Sequence, residues 1–573
     1  MVRPSSAGVT LIDTVVGTAL MLLIFMGVAA AFQLSIDVVT SNKARAGAIA
    51  LLNERMEYIH SLTYSAIGTS GGIPSGALAQ NETVMLNGVT YNRRTLIVYY
   101  DDSKDGSGGG DANTIQADSK VFKVDVSWTS RTGTRHITAS ARVAPLTGLE
   151  SAVSGGTLTI NAVDSLGAPI SSAQVTVVNA GTSVNLITYT NASGTIQFVG
   201  TPASAGYQIS VTKSGYSTAQ TYSATAQNTS PNPGHLTVTN NVTTSATFAV
   251  DVLGNKTVRT WTPVQTGTTT DTYADSSKIA TSSNVSVASG VAAISAPAPY
   301  GTGLLQSTAV APSYLYGWKL LTWTDSKPAG TSIVYRVYDF GGSALIPDSQ
   351  LPGNAAGFTA SPVNLSGIST STYTGLRIGA TLTGSASATP SIDTWSLGYD
   401  YGPIPLPNIA FTLTGSKTIG SGPSGTVYKY SQSLNTGAGA SLYIPNIEWD
   451  TYTIAVASST GYDISKSCNP QPETLSPGSS VTTDLYLSAH TASSLLVDVR
   501  SAATGALLPN ASVQLTKTGY NATVSTGSCG QAFFSGLTNA TYTIVVSLAG
   551  YTTYTGTNAA VVNGTTKYSV SLN

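Results

Sequence analysis

The sequence predicts a mainly β chain with one long α-helix at its N-terminus. Three observations carry that prediction. No charge interrupts the apolar run from Val15 to Phe32. Beyond it, short alternating runs rich in Val, Ile and Tyr are punctuated by Gly, Pro and Asn-Gly, the pattern of strands and turns. Several of these runs then recur at long spacing. Charged residues make up only 9%, but 41% are hydrophobic, too many for a disordered chain. The net charge of -1 supplies no basic face, so nucleic acid is not an expected partner. A chain of 573 residues suggests about three to five domains.

The apolar run is about the minimum length of a membrane-spanning helix. It continues into an amphipathic stripe of Ile49, Leu52, Met56, Ile59 and Leu62, with Glu54 and Arg55 off the stripe. Glycines and a proline in SAIGTSGGIPSG end the helix. Asp13 lies almost at the start of the run. A carboxylate in a membrane helix costs about 2.5–3.5 kcal/mol at the centre and less near an end. It calls either for a partner or for a place in the first helical turn, where the helix dipole favours it. A cleaved secretory signal would use Arg3 and the small residues Ala29-Ala30-Ala31, and a plain signal anchor would keep the whole segment.

SAG-VTLID resembles the type IV prepilin cleavage and methylation motif. The resemblance implies a leader over 1–8, cut by a prepilin peptidase after Gly8, and a methylated new N-terminus at Val9. Asp13 then takes the fifth mature position, where the family usually has Glu. There it attracts the terminal amine of a neighbouring pilin during assembly. Val9 replaces the usual Phe or Met; such departures are met mostly in minor pilins and pseudopilins. The implied helix covers 9–66, with 9–36 first in the cytoplasmic membrane, as a single pass, and then in a filament core exposed at the cell surface.

Residues 67–147 read as a pilin-like α+β head. Asn87-Gly88 is a two-residue hairpin signal, and Val121, Val124, Val126 and Trp128 form a strand-like run that ends at the turn SRTG. Three or four antiparallel strands result. The loop DDSKDGSGGGD offers Asp101, Asp102, Asp105 and Asp111 as oxygen donors, but no Glu closes an EF-hand spacing. No metal and no cofactor is assigned.

Further on, Tyr207 to Val211 with Gly215-Tyr216 matches Tyr542 to Val546 with Gly550-Tyr551. Upstream, Gly194 precedes Phe198 as Gly530 precedes Phe534, and GAPISSAQV (from Gly167) matches GALLPNASV (from Gly505). A looser copy runs from Gly439 and Tyr443 through Tyr452 to Gly461-Tyr462; its opening, PIPLPNIAFTLTG, lacks the A-x-V element. The period of two places the repeated aliphatic and aromatic residues in sandwich cores. The copies resemble carboxypeptidase-regulatory-like, transthyretin-like β-sandwich modules over 150–250, 403–488 and 493–573. The family implies a scaffold without an active site. Some related surface repeats carry Lys–Asn cross-links, but no placement of Lys, Asn and an acid within these copies points to one.

Between them, 251–402 breaks the pattern and holds Trp261, Trp318, Trp323 and Trp395. It resembles jelly-roll modules of the galactose-binding-like class, whose aromatic faces bind sugars when they face outward and fill the core when they do not. Cys468 and Cys529 are the two cysteines, and the sequence leaves open whether they pair. His60, His136, His235 and His490 stand singly, and no H-E-x-x-H, G-x-S-x-G or Walker motif occurs. The chain is not expected to be an enzyme. The expected function is a minor pilin that presents adhesive modules to a glycan or protein surface. A pseudopilin of a secretion or DNA-uptake machine, or an anchored surface protein that never polymerises, are the alternatives.

Overall fold

The computed structural model describes residues 10–101, 116–131, 133–146, 151–295 and 301–573. The expected cleavage residues Gly8 and Val9, and Asp102, Asp105 and Asp111 of the acidic loop, lie outside them. Helix α1 covers Leu11–Ser61, 51 residues, about 77 Å at 1.5 Å per residue. Its C-terminal part packs on a four-stranded antiparallel sheet. The order is β1 (Asn81–Leu86), β2 (Val89–Tyr100), β3 (Ser119–Ser130) and β4 (Gly133–Val143). Asn87 and Gly88 make the first turn with φ of 53° and 78°, the left-handed pair that suits the twist of a tight hairpin.

The expected stripe holds at Leu52 and Ile59, which are buried, and at Met56 and Leu62, which pack against the core, but the buried face is wider on one side. Ala44, Gly47, Ala48, Leu51, Leu52, Arg55 and Ile59 are buried, whereas Ile49 is exposed. Small residues decide that extra width. A Cβ at Gly47 would lie 2.5 Å from the Tyr91 hydroxyl, which donates 2.8 Å to the Ala44 carbonyl. Only a face of Ala and Gly lets the tyrosine reach the helix backbone.

Beyond the head, three β-sandwiches share one topology. In the first, Gly156–Val163 lies antiparallel to Thr195–Thr201 and parallel to Thr243–Ala249. In the last, Ser493–Ser501 lies antiparallel to Gln531–Phe534 and parallel to Gly564–Leu572. The facing sheets are built around Gln174–Asn179 and Ser512–Lys517. In the third module the equivalent first strand is Gly254–Trp261. It lies antiparallel to Ser441–Ile447 and parallel to Ser480–Ala489. The expected boundaries, 251–402 for the insert and 403 for the start of the third module, therefore do not hold. The strand belongs instead to the third module, and the insert is threaded between that module's first strand and Ala410–Gly415. The two ends of the insert meet: Thr262 N–H donates 2.8 Å to the Ile404 carbonyl.

Local details repeat with the topology. Ser172, Asn408 and Asn510 are left-handed, with φ of 56°, 59° and 60°. Each is followed by a buried residue, Ala173, Ile409 or Ala511. The N–H of that residue donates 2.8–3.1 Å to a buried threonine hydroxyl, Thr190, Thr436 or Thr526. The missing A-x-V element of the third copy is therefore Ile409-x-Phe411, with both side chains buried. The repeated tyrosines also share a task. The hydroxyls of Tyr207, Tyr452 and Tyr542 donate to the carbonyls of Pro202, Glu448 and Thr538 at 2.6, 2.7 and 3.1 Å.

One expected equivalence slips by a residue. Gly194 and Gly530 accept from Ala162 and Val499 N–H, whereas in the third module Ala440, not Gly439, accepts from Thr260 N–H. The slip turns Tyr443 outward, 60% exposed, because strand side chains alternate between faces.

The insert is a two-sheet antiparallel sandwich. One sheet is built on Leu315–Ser326 and Ser391–Tyr401. The other runs Ile279–Ser283, Thr302–Ser307, Leu376–Thr383, Ser332–Asp339. Trp318, Trp323 and Trp395 fill its core, so these three rings offer no outward platform.

Candidate functional site

α1 is two helices in one. From Leu11 through Val39 its large apolar side chains are exposed, and burial against the sheet begins at Ala44. It is long and apolar enough to cross a membrane. Its first turn is closed by a capping box: Thr10 Oγ1 accepts from Asp13 N–H at 3.3 Å, and Asp13 Oδ2 accepts from Thr10 N–H at 3.1 Å and from its hydroxyl at 2.7 Å. Asp13 thus satisfies donors that a helix start leaves open. It stands at the positive end of the helix dipole, exposed and free of any described ion pair. This local task is compatible with a second one at a subunit contact.

The packed half is fastened by charge. Arg55, expected off the stripe, is buried and bonds to Glu82 on β1. Glu82 also takes Arg93 at 3.0 Å, and Arg93 reaches Glu54 at 3.1 Å. Burial alone would raise the Glu82 carboxyl. The two guanidiniums outweigh it and hold the group below the usual range. Lys120 on β3 donates to the Tyr64 and Ile67 carbonyls, both at 2.7 Å. Burial pushes its ammonium down to about 8.

The head and the first module are joined through an edge. Gly71 O accepts from Asn185 N–H at 2.9 Å. Gln80 donates to Asn185 O at 2.6 Å, and Arg94 donates to Ile187 O. The strand Val184–Tyr189 ends its sheet. Its open backbone groups therefore meet side chains of the head instead of a foreign strand. Leu96 and Val98 on the outer face of β2 pack into the first module's core.

Cys468 and Cys529 form a disulfide between the third and last modules, with Cα atoms 4.5 Å apart. Beside it Ser467 N–H donates 2.6 Å to Gln531. Within the third module, Lys256 is 1% exposed and donates to Glu473 at 2.6 Å and to Thr483 at 2.8 Å; Asn469 bonds to the same carboxylate. Nothing local in the sequence announces this cluster, because the lysine arrives from a strand more than two hundred residues upstream of its acid. Among the described residues no group of three His, Cys, Asp or Glu is placed to hold a metal.

Comparison with known proteins adds one module-level assignment. No curated protein matches the chain. Among solved structures it overlaps the Bacillus anthracis TIE protein at 11% identity and a TM-score of 0.16, over 86% of this chain and 73% of that one. BcpA, the major pilin subunit of Bacillus cereus, overlaps at 9% identity and 0.13, over 73% and 99% of the two chains. The RrgB pilus protein of Streptococcus pneumoniae overlaps at 10% and 0.12, over 71% and 93%. At such scores no function or arrangement is taken from these likenesses. The last of the three related sandwiches has a family of its own: residues 494–573 match the carboxypeptidase regulatory-like domain.

Proposed function

We propose that this chain is a minor pilin of a type IV pilus-like filament. Its leader is removed by a prepilin peptidase after Gly8, and its β-sandwich modules are carried outward for adhesion. The supporting observation is the divided helix. An exposed apolar half is continuous with a half locked onto its own sheet, which suits a subunit that leaves a bilayer for the interior of a fibre. Asp13, one helical turn from the mature end, neutralises the terminal amine of the neighbouring pilin. The bulk of four sandwiches behind one head suits a tip or sparse position and not a close-packed shaft.

The test is the mature N-terminus and the fate of Asp13→Ala. Mass spectrometry of sheared fibres is expected to find the chain beginning at methylated Val9. Asp13→Ala is expected to insert in the membrane normally and to be missing from fibres. A chain beginning at Phe32 or Met1, or a D13A variant assembled like the parent, overturns the reading. A peptidase-processed chain that is never found in surface fibres favours the pseudopilin alternative.

A further inference from the structure

We propose that the insert binds an acidic, uronate-bearing polysaccharide in a groove across its second sheet. The inference supplies a ligand class for the adhesive part of the reading above, and it is tested by binding alone, whatever the outcome for filament assembly. One face of this sheet covers the core formed with Trp318, Trp323 and Trp395. The other carries a groove of about 540 Å³.

The register explains the groove. Gln306 and Arg336 both stand opposite Gly379 on the strand between them. A glycine in the middle of that rung leaves a gap between two longer side chains. A Cβ at Gly379 would lie 2.5 Å from the Tyr338 ring, so the ring covers the buried glycine and becomes part of the groove floor. Arg377, paired with Tyr338, stands at the next outward position.

The electrostatics select the ligand. Arg336 and Arg377 line the groove and no carboxylate does. Among the described residues neither guanidinium joins an ion pair. Each is held in place by carbonyls: Arg336 donates to Ala355 and Ala356 at 3.2 and 2.9 Å, and Arg377 to Phe340 at 2.9 Å. Asp339, at the end of the same strand, spends its Oδ1 on the Ser343 and Ala344 N–H groups. A guanidinium has five N–H donors in a planar fork, so both keep donors for a carboxylate in a fixed orientation. Thr281, Ser283 and Thr381 add hydroxyls along the floor, a lining suited to sugar hydroxyls.

Other polyanions fit less well. Two cations on a chain of net charge -1 are too few for a nucleic acid, whose affinity comes from neutralising many phosphates. A peptide added as a strand needs a sheet edge, and this groove crosses a sheet face.

The experiment measures binding of galacturonic acid oligomers to the detergent-solubilised full chain. Their methyl-esterified form, single-stranded DNA and polyglutamate serve as controls. The oligouronate is expected to bind, more weakly as salt rises, and the esterified form at least tenfold more weakly. Arg377→Gln is expected to weaken binding at least tenfold. Because that variant removes a loop contact, Leu304→Glu is the second test: Leu304 lines the groove and is 52% exposed, so the change adds a negative charge without disturbing the core. It is expected to abolish binding. Leu320→Glu, exposed on the opposite sheet, is expected to leave it intact. Equal binding of the esterified oligomer or of DNA, or parental binding by Leu304→Glu, overturns the proposal.

Discussion

The third and last modules have the same strand plan, yet one is split and the other is continuous. In the last, the first strand and its partners lie within 493–573. In the third, the first strand at 254–261 pairs with strands that begin at Ser441 and Ser480, and a complete sandwich intervenes. The continuous copy matches a family model over 494–573. A sheet recognises its strands by backbone hydrogen bonds and packing, which are indifferent to chain distance. Sequence comparison is not. The closure entropy of so long an excursion grows only with the logarithm of its length, and the insert folds on its own core, which shortens the effective loop.

The largest expected effect breaks the split copy alone. Lys256→Ala leaves the nearly buried Glu473 without its cation and is expected to cost the third module about 3 kcal/mol. The last module should keep its own stability. Urea unfolding followed by hydrogen exchange separates the two, and an equal loss in both modules would show that they unfold as one unit.

A smaller effect concerns the left-handed residue at the start of the strand beside the first. Gly530→Ala places a Cβ 2.7 Å from Leu508 N at a φ of 61°. It is expected to cost the last module about 2 kcal/mol or more. Ala440→Gly, at the equivalent place with a φ of 53°, relieves strain but loses a buried methyl. It is expected to change the third module's stability by less than about 1 kcal/mol. Thermal unfolding of the two variants checks the asymmetry.

The smallest effect is a slope with pH. Asp498, in the first strand of the last module, has a carboxyl raised mainly by burial, against a lowering bond from Gln531. A raised carboxyl binds protons more tightly folded than unfolded. Its contribution is therefore present at low pH and is lost as pH climbs from the ordinary aspartate range through the raised value. Stability of the last module is expected to fall over that window, and Asp498→Asn is expected to flatten the fall.

These cases also mark what the sequence discloses. The head hairpin at Asn87-Gly88 and the repeats around Tyr207 and Tyr542 were legible because turn chemistry and alternation are local. The long helix and most of its core stripe were legible for the same reason, but the full width of its buried face was not. Charge placed Arg55 outside the stripe, whereas Glu82, on a strand 27 residues away, draws it in. The first strand of the third module was hidden because eight residues of alternation do not say which sheet they join. The arginines of the groove were hidden likewise, since Arg336 and Arg377 become neighbours only through register. Asp13 was legible as an anomaly, but its bond to Thr10 belongs to the folded first turn.

The threaded insert also determines how tension travels. Its two connections leave the third module side by side, at Thr262 and Ile404. A pull applied between the insert and α1 therefore enters the third module along Gly254–Trp261. That strand lies lengthwise between Ser441–Ile447 and Ser480–Ala489, so its hydrogen bonds resist together in shear instead of parting one by one. The last module lies off that path, joined to the third by the Cys468–Cys529 bridge.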